Sequence, residues 1–244
     1  MGLFRFSRDP RIWGVVLLSK FVLVFLGHVE NYAWPYALSM WCIVLLRETT
    51  EAGRPSWPLW AVAVVATFCH PMVLMLWPAL AWGLYPWDKR KGVEILVALL
   101  VTAGLADVLL FFGHAGGLPQ EKWVLPLFDV GDSLVRYPFF SVLHWREVLG
   151  FHLTTMPWGL FLLALCGWRD WHGWRGALIL AAGISVLWSL VWHPGMSGAD
   201  WDLFAWPALF VNLAGGTAWV ERSTEKRSAE AVSQSGQAVD EKDV

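Results

Sequence analysis

Apolar runs recur from Ile12 to Trp219 with only short polar gaps between them, and few folds can accommodate such a chain. Hydrophobic residues make up 57% of the 244 positions and charged residues 16%, with a mean hydropathy of +0.49. In lipid every backbone polar group has to be satisfied internally, which favours helices. The sequence therefore predicts an all-α polytopic transmembrane helical bundle. The net charge of −2 says little about partners, because acidic and basic residues are unevenly placed along the chain.

A membrane-crossing helix needs about 20 apolar residues, fewer where an end is buried in protein. Eight segments qualify: 12–27, 32–46, 57–70, 72–85, 92–113, 148–168, 176–192 and 204–220. Joining the first four into two long helices is the alternative. Each would then rise about 45 Å, against a hydrocarbon core of about 30 Å, so two hairpins fit better. Basic residues test the count, because cytoplasmic ends hold the excess of Lys and Arg. With eight spans and both termini inside, 14 of the 18 basic residues fall on the inner side, from Arg5, Arg8 and Arg11 to Lys226, Arg227 and Lys242. Lys122, Arg136 and Arg146 fall outside, and Lys20 lies within a span.

The same map collects His28, Glu30, His70, His114, Asp129, Asp132, His144, His193, Asp200 and Asp202 at the outer face, leaving His172 at the inner one. His70 and His193 each precede a proline, which disfavours helical angles, so both are expected at helix ends. Many of the 19 tryptophans lie near expected interfaces and read as an aromatic belt. The organisation expected is a transmembrane helical domain over 1–222 with an outer interfacial segment at about 114–146. Residues 223–244, polar and poor in large apolar side chains, are expected to form a disordered cytoplasmic tail. Cys42, Cys69 and Cys166 sit in apolar runs without paired spacing and read as small hydrophobes. No cleaved signal peptide, phosphate loop, nucleotide fingerprint or zinc-protease pattern is expected, and no nucleic-acid partner.

Each polar cluster has a structural and a functional interpretation. His28-Val29-Glu30-Asn31-Tyr32 is either a self-satisfied polar turn or a site where a carboxylate beside lipid meets a cation or a substrate. Asp200-Trp201-Asp202 is either a helix N-cap or a sugar grip, its acids accepting hydroxyl hydrogen bonds and the Trp201 indole stacking on the ring. Lys122, Arg136, His144 and Arg146 serve equally well as anchors to lipid head groups or as ligands of an anionic lipid substrate. Lys20 and Asp107 are candidates for a buried ion pair. The outer histidines lack the two- or four-residue spacing of a metal site, so no metal or other cofactor is expected; nothing in the sequence indicates a divalent metal.

Gly27-His28-Val29-Glu30-Asn31-Tyr32-Ala33, His70-Pro71 with Pro78 in the next run, and Gly198-Ala199-Asp200-Trp201-Asp202-Leu203-Phe204 together resemble the later membrane region of GT-C-type glycosyltransferases, such as the dolichyl-phosphate-mannose-dependent protein mannosyltransferases. The resemblance covers about 12–220. It implies transfer of a sugar, with inversion, from a polyprenyl-phosphate-linked donor at the outer face of a bacterial-type inner membrane. Glu30, Asp200 and Asp202 would be the catalytic carboxylates. His28, Asn31, Tyr32, His70, His193 and Trp201 would contact substrate, and Lys122, Arg136, His144 and Arg146 would hold the lipid phosphate. The family's catalytic acid lies in a first outer loop ahead of the region matched here. The resemblance therefore implies an N-terminally truncated form, or a second membrane subunit that supplies the acid. Two other classes stay open beside the enzyme: a transporter or lipid-binding membrane protein with His28, Glu30, Lys20 and Asp107 along its path, and a non-catalytic scaffold subunit.

Overall fold

The computed structural model describes residues 2–20, 22, 33–86, 88–113, 128, 138–167, 172–191 and 205–240, with the backbone alone at 71, 106–113 and 233–240. Among the described residues every regular element is helical, and the all-α class holds. The helices are α1 (Gly2–Phe6), α2 (Pro10–Leu17), α3 (Ala33–Ala52), α4 (Trp57–Cys69), α5 (Trp77–Gly83), α6 (Lys89–Gly113), α7 (Val142–Thr155), α8 (Pro157–Cys166), α9 (Gly173–Val191) and α10 (Trp206–Asp240), with a 3-10 turn over Pro71–Leu76 ahead of α5.

Proline sets several of these starts, because its fixed φ suits a first helical turn and its missing N–H is not needed there. It stands in the first turn of α2, α4, α5 and α8. At α2, Asp9 adds a cap by accepting the Arg11 N–H at 2.9 Å. His70 does end α4, in extended conformation (φ −161°, ψ 129°), and its Nδ1 accepts the Met72 N–H at 3.2 Å.

The first half of α10 stands in the middle of the bundle, against α2, α3, α8 and α9, while α3, α4, α5 and α9 pack among themselves. Glycine allows the closest approach. A Cβ on Gly215 would lie 2.5 Å from the Gly159 carbonyl oxygen, and one on Gly159 would lie 2.7 Å from that of Val211, so α8 and α10 touch backbone to backbone. This is the small-residue contact that lets helices associate without help from solvent. α6 is peripheral: it packs on α4, and Ala98 and Thr102 are its buried residues among those described through Leu105.

The helices pair in a register that separates two ends. At one, here the arginine end, Glu48 accepts from Arg5 at 2.5 Å and from Arg54 at 2.6 Å. Glu51 accepts from Arg47 at 2.8 Å and from the Trp174 indole at 2.7 Å, Arg175 meets Glu221 at 2.5 Å, and Arg222 donates to the Cys166 carbonyl at the end of α8. At the other, the histidine end, Trp206 reaches Ser39 and His152 reaches Ser189. α4 leads away from Arg54 and α5 returns to set Gly83 against Leu46 and Ala177, so His70 lies at the histidine end as well.

Three segments differ from the sequence expectations. In the first apolar run α2 stops at Leu17, where the Ser19 hydroxyl donates to the Val16 carbonyl and competes with the next α-helical bond; residues 23–27 of that run lie outside the described residues. The run 148–168 is not one straight helix. Its helix starts at Val142, and α7 and α8 are bent by 84° around Met156, the residue before Pro157. Finally, the stretch expected as a disordered tail is helical as far as Asp240, a continuation of a packed helix by Ala, Glu and Lys residues of good helix propensity; described side chains from Thr224 to Val232 are exposed. Among the described residues α9 is long and apolar enough by itself to cross a membrane, and α7 with α8 would make a second such element if counted together.

Candidate functional site

Of the residues assigned to the site from sequence, His70, His144 and Arg146 are described, as is Lys20, considered there for an ion pair. His28, Glu30, Asn31, Tyr32, Lys122, Arg136, His193, Asp200, Trp201 and Asp202 lie outside the described residues, as do His114, Asp129 and Asp132 and the side chain of Asp107. The candidate site is therefore built on α7, which carries two of the three described candidates.

Ser141 starts this helix by accepting the His144 N–H at 3.1 Å. Its buried side follows the helical repeat through His144, Val148, His152 and Thr155. His144, expected from sequence as a head-group or phosphate contact, is only 1% exposed; it packs beside Phe139 and Trp145 and lies against the backbone of Leu190 in α9. Two turns on, His152 Nε2 lies 2.9 Å from Ser189 Oγ. The serine hydroxyl has one proton and directs it to the Val186 carbonyl at 2.7 Å, so the imidazole carries its proton on Nε2 and donates to the serine. Its buried Nδ1 is then a bare acceptor with no partner among the described residues. Sequence reading passed over His152; its signal was the spacing of four, four and three through His144, Val148, His152 and Thr155.

A second side of α7, through Arg146, Glu147, Gly150, Phe151, Thr154 and Thr155, lines an open cavity of about 310 Å³ to which Lys20 contributes from the segment after α2. Gly150 and the two threonines leave the room, while Lys20, Arg146 and Glu147 supply charge. His144 and Arg146 share one turn, yet His144 is not part of the cavity wall and Arg146 is. Lys20, considered from sequence as a partner for Asp107, shares this cavity with Glu147, a residue the sequence reading did not single out. His70 stands apart on α4 in its capping role.

The bend beneath the cavity is held by Asn212, a polar residue fully buried in the apolar half of α10. Its Oδ1 accepts the Gly159 N–H at 3.1 Å and its Nδ2 donates to the Thr155 carbonyl at 3.4 Å. One amide thus serves an unpaired donor at the start of α8 and an unpaired acceptor at the end of α7.

Among the described residues no three His, Cys, Asp or Glu side chains are grouped to hold a metal ion. A larger cavity of about 780 Å³ opens at the arginine end between the end of α8 and α10, where Arg175 meets Glu221 and Arg222 donates to the Leu165 and Cys166 carbonyls. No family model, no curated protein and no solved structure matches the chain.

Proposed function

We propose that the chain is a polytopic membrane protein of about eight membrane-embedded segments that handles a polyprenyl-phosphate-linked sugar at its histidine end, as a glycosyltransferase or the phosphate-binding part of one. The observation that carries this is the cavity on α7, where Lys20 and Arg146 face a space of about 310 Å³ beside Glu147 and two threonine hydroxyls. Two cations suit a phosphate ester, the Thr154 and Thr155 hydroxyls being turned to the Gly150 and Phe151 carbonyls, and Glu147 is a carboxylate beside the same space.

The membrane setting draws on the outer surface of the bundle. Along α6, Val93, Leu96, Val97, Leu99, Leu100, Val101 and Leu105 are all exposed, and α8 exposes Trp158, Phe161 and Leu165. Apolar surface this continuous needs a cover, and lipid is the cover that suits a helical bundle. The clustering of Arg5, Arg47, Arg54, Arg175 and Arg222 at one end agrees with a cytoplasmic face there and an outer face at the histidine end. Sugar transfer itself rests on the motifs around Glu30 and Asp200.

The test is binding of a fluorescent polyprenyl phosphate, against the uncharged polyprenol, to the full chain in phosphatidylcholine nanodiscs. The phosphate should bind at least about tenfold more tightly, and Lys20→Gln with Arg146→Gln should abolish that preference. Equal binding of phosphate and alcohol, or an undiminished preference in the double variant, would overturn the assignment of the cavity. With a labelled polyprenyl-phosphate sugar, an unchanged transfer signal after replacing Glu30, Asp200 and Asp202 together would reject the catalytic carboxylates.

A further inference from the structure

We infer that Asn212 is a positioning residue for the α7 cavity: by bridging the α7–α8 break from the central helix, its amide sets where Arg146 and Thr155 stand relative to Lys20. The inference rests on the cavity being the phosphate site and adds a residue outside the cavity that governs it.

Geometry makes the connection. Thr155 is at once the residue whose carbonyl Asn212 holds and a wall of the cavity. Arg146 lies on the same helix nine residues earlier, about 13 Å along its axis at 1.5 Å per residue, so a small change of angle at the break is amplified at the guanidinium. At the break Met156 is tied to α7 through the His152 carbonyl and to α8 through the Leu160 N–H, and the angle between the two turns on its own backbone. Met156 has left helical geometry (φ −141°, ψ 38°), and Pro157 has no N–H with which to bridge back to α7. Gly159 lies directly against Asn212 and Gly215, so the α8 side is pinned by backbone contact. On the α7 side the amide hydrogen bond to Thr155 works together with two contacts to α9, His152 with Ser189 and the buried His144 against Leu190, and fixes the end of α7 that adjoins the break.

Asn212 has no other assignment that would account for it. It is 0% exposed in a run of Ala, Leu, Phe and Val, where an unpaired carboxamide would be costly. Both ends of the amide are spent on the two backbone groups flanking the break, which points to the break as its purpose.

The experiment is a double-mutant cycle in full-length protein in phosphatidylcholine nanodiscs, with fluorescent polyprenyl phosphate as the probe. Asn212→Leu keeps the branched outline of the side chain and removes both hydrogen bonds, and should weaken binding about fivefold to tenfold in a chain that stays monodisperse and helical. In an Arg146→Gln background the same substitution should change binding by less than about twofold, because a misplaced guanidinium and a missing one have the same consequence. A purely structural role would give losses that multiply in the two backgrounds, and that result would overturn the inference. Asn212→Asp keeps an acceptor for Gly159 but cannot donate to Thr155, and the cycle is run on it if Asn212→Leu does not yield folded protein. Arg146→Gln that leaves binding unchanged would instead remove the phosphate site itself, and the inference with it. Arg146→Gln that weakens binding beside an Asn212→Leu of unchanged affinity would refute the positioning role alone.

Discussion

The two ends of the bundle handle polar groups in opposite ways. At the arginine end, long side chains meet carboxylates in half-exposed pairs: the Arg5 side chain retains 46% of its exposure and that of Glu48 19%. Such pairs sit where water and counter-ions can replace either partner, and each contributes little. Toward the histidine end, apart from the charged groups of the α7 cavity, the interior polar contacts are short and buried, as that of His152 with Ser189 is. Loss of a partner there leaves a group that water does not reach. The contrast separates an end that tolerates substitution from one whose few polar contacts are individually costly to lose.

The contact between α8 and α10 joins the two ends, and disturbing it should have the largest effect. Gly215→Ala places a methyl group 2.5 Å from the Gly159 carbonyl, and since the obstacle is backbone the helices must separate. A loss of about 2 to 3 kcal/mol is expected in reversible unfolding in mixed micelles. Gly183→Ala in α9 meets nothing within 4 Å and should be neutral or stabilising by up to about 1 kcal/mol. Equal behaviour of the two would remove the backbone contact from the account.

Next comes the histidine end. Ser189→Ala strands the Nε2–H of a histidine that is 6% exposed, at an expected cost of about 1 to 2 kcal/mol in the same assay. A cost near zero would mean that another group takes the proton, and the ends would differ less than the burial implies.

The smallest effect belongs to the arginine end and depends on pH. The side-chain hydrogen bond from Arg11 holds the Asp9 carboxyl below its ordinary value of 3.8, outweighing the opposing effect of partial burial. A carboxyl lowered in the folded state stabilises at pH above its ordinary value and loses that contribution as pH falls through the lowered one. Arg11→Gln should therefore reduce stability slightly at neutral pH and flatten its decline in acid, and a decline as steep as that of the parent chain would rule out the pair as its source.

The parts of this arrangement that depend on local chemistry were legible in the sequence. Prolines at 10, 58, 71, 78 and 157 mark helix starts, and His70-Pro71 divides what would otherwise be one helix of excessive length. What escaped depends on partners far along the chain. Asn212 reads as a single tolerated polar residue, because its two hydrogen-bond partners lie 53 and 57 residues earlier. The bend at Met156 was passed over, although Pro157 marks it, because the run from Val148 to Trp168 is mostly apolar and hydropathy cannot distinguish a straight helix from two joined at an angle. His152 was overlooked for a related reason: an imidazole inside an apolar run gives no sign of its role until Ser189 is placed beside it. The candidate site was legible in its residue types and in Arg146, but the convergence of Lys20 and Glu147 on it needed the third dimension.

The central position of α10 has a consequence for biosynthesis. The ribosome makes this helix after every other described one, yet α2, α3, α8 and α9 all rest on it. Until it is made, the bent α7–α8 pair lacks the amide that spans its break, and the glycine surface of α8 has no partner helix. The earlier segments must then wait incompletely packed, and compaction becomes a single late event triggered by the arrival of the mast.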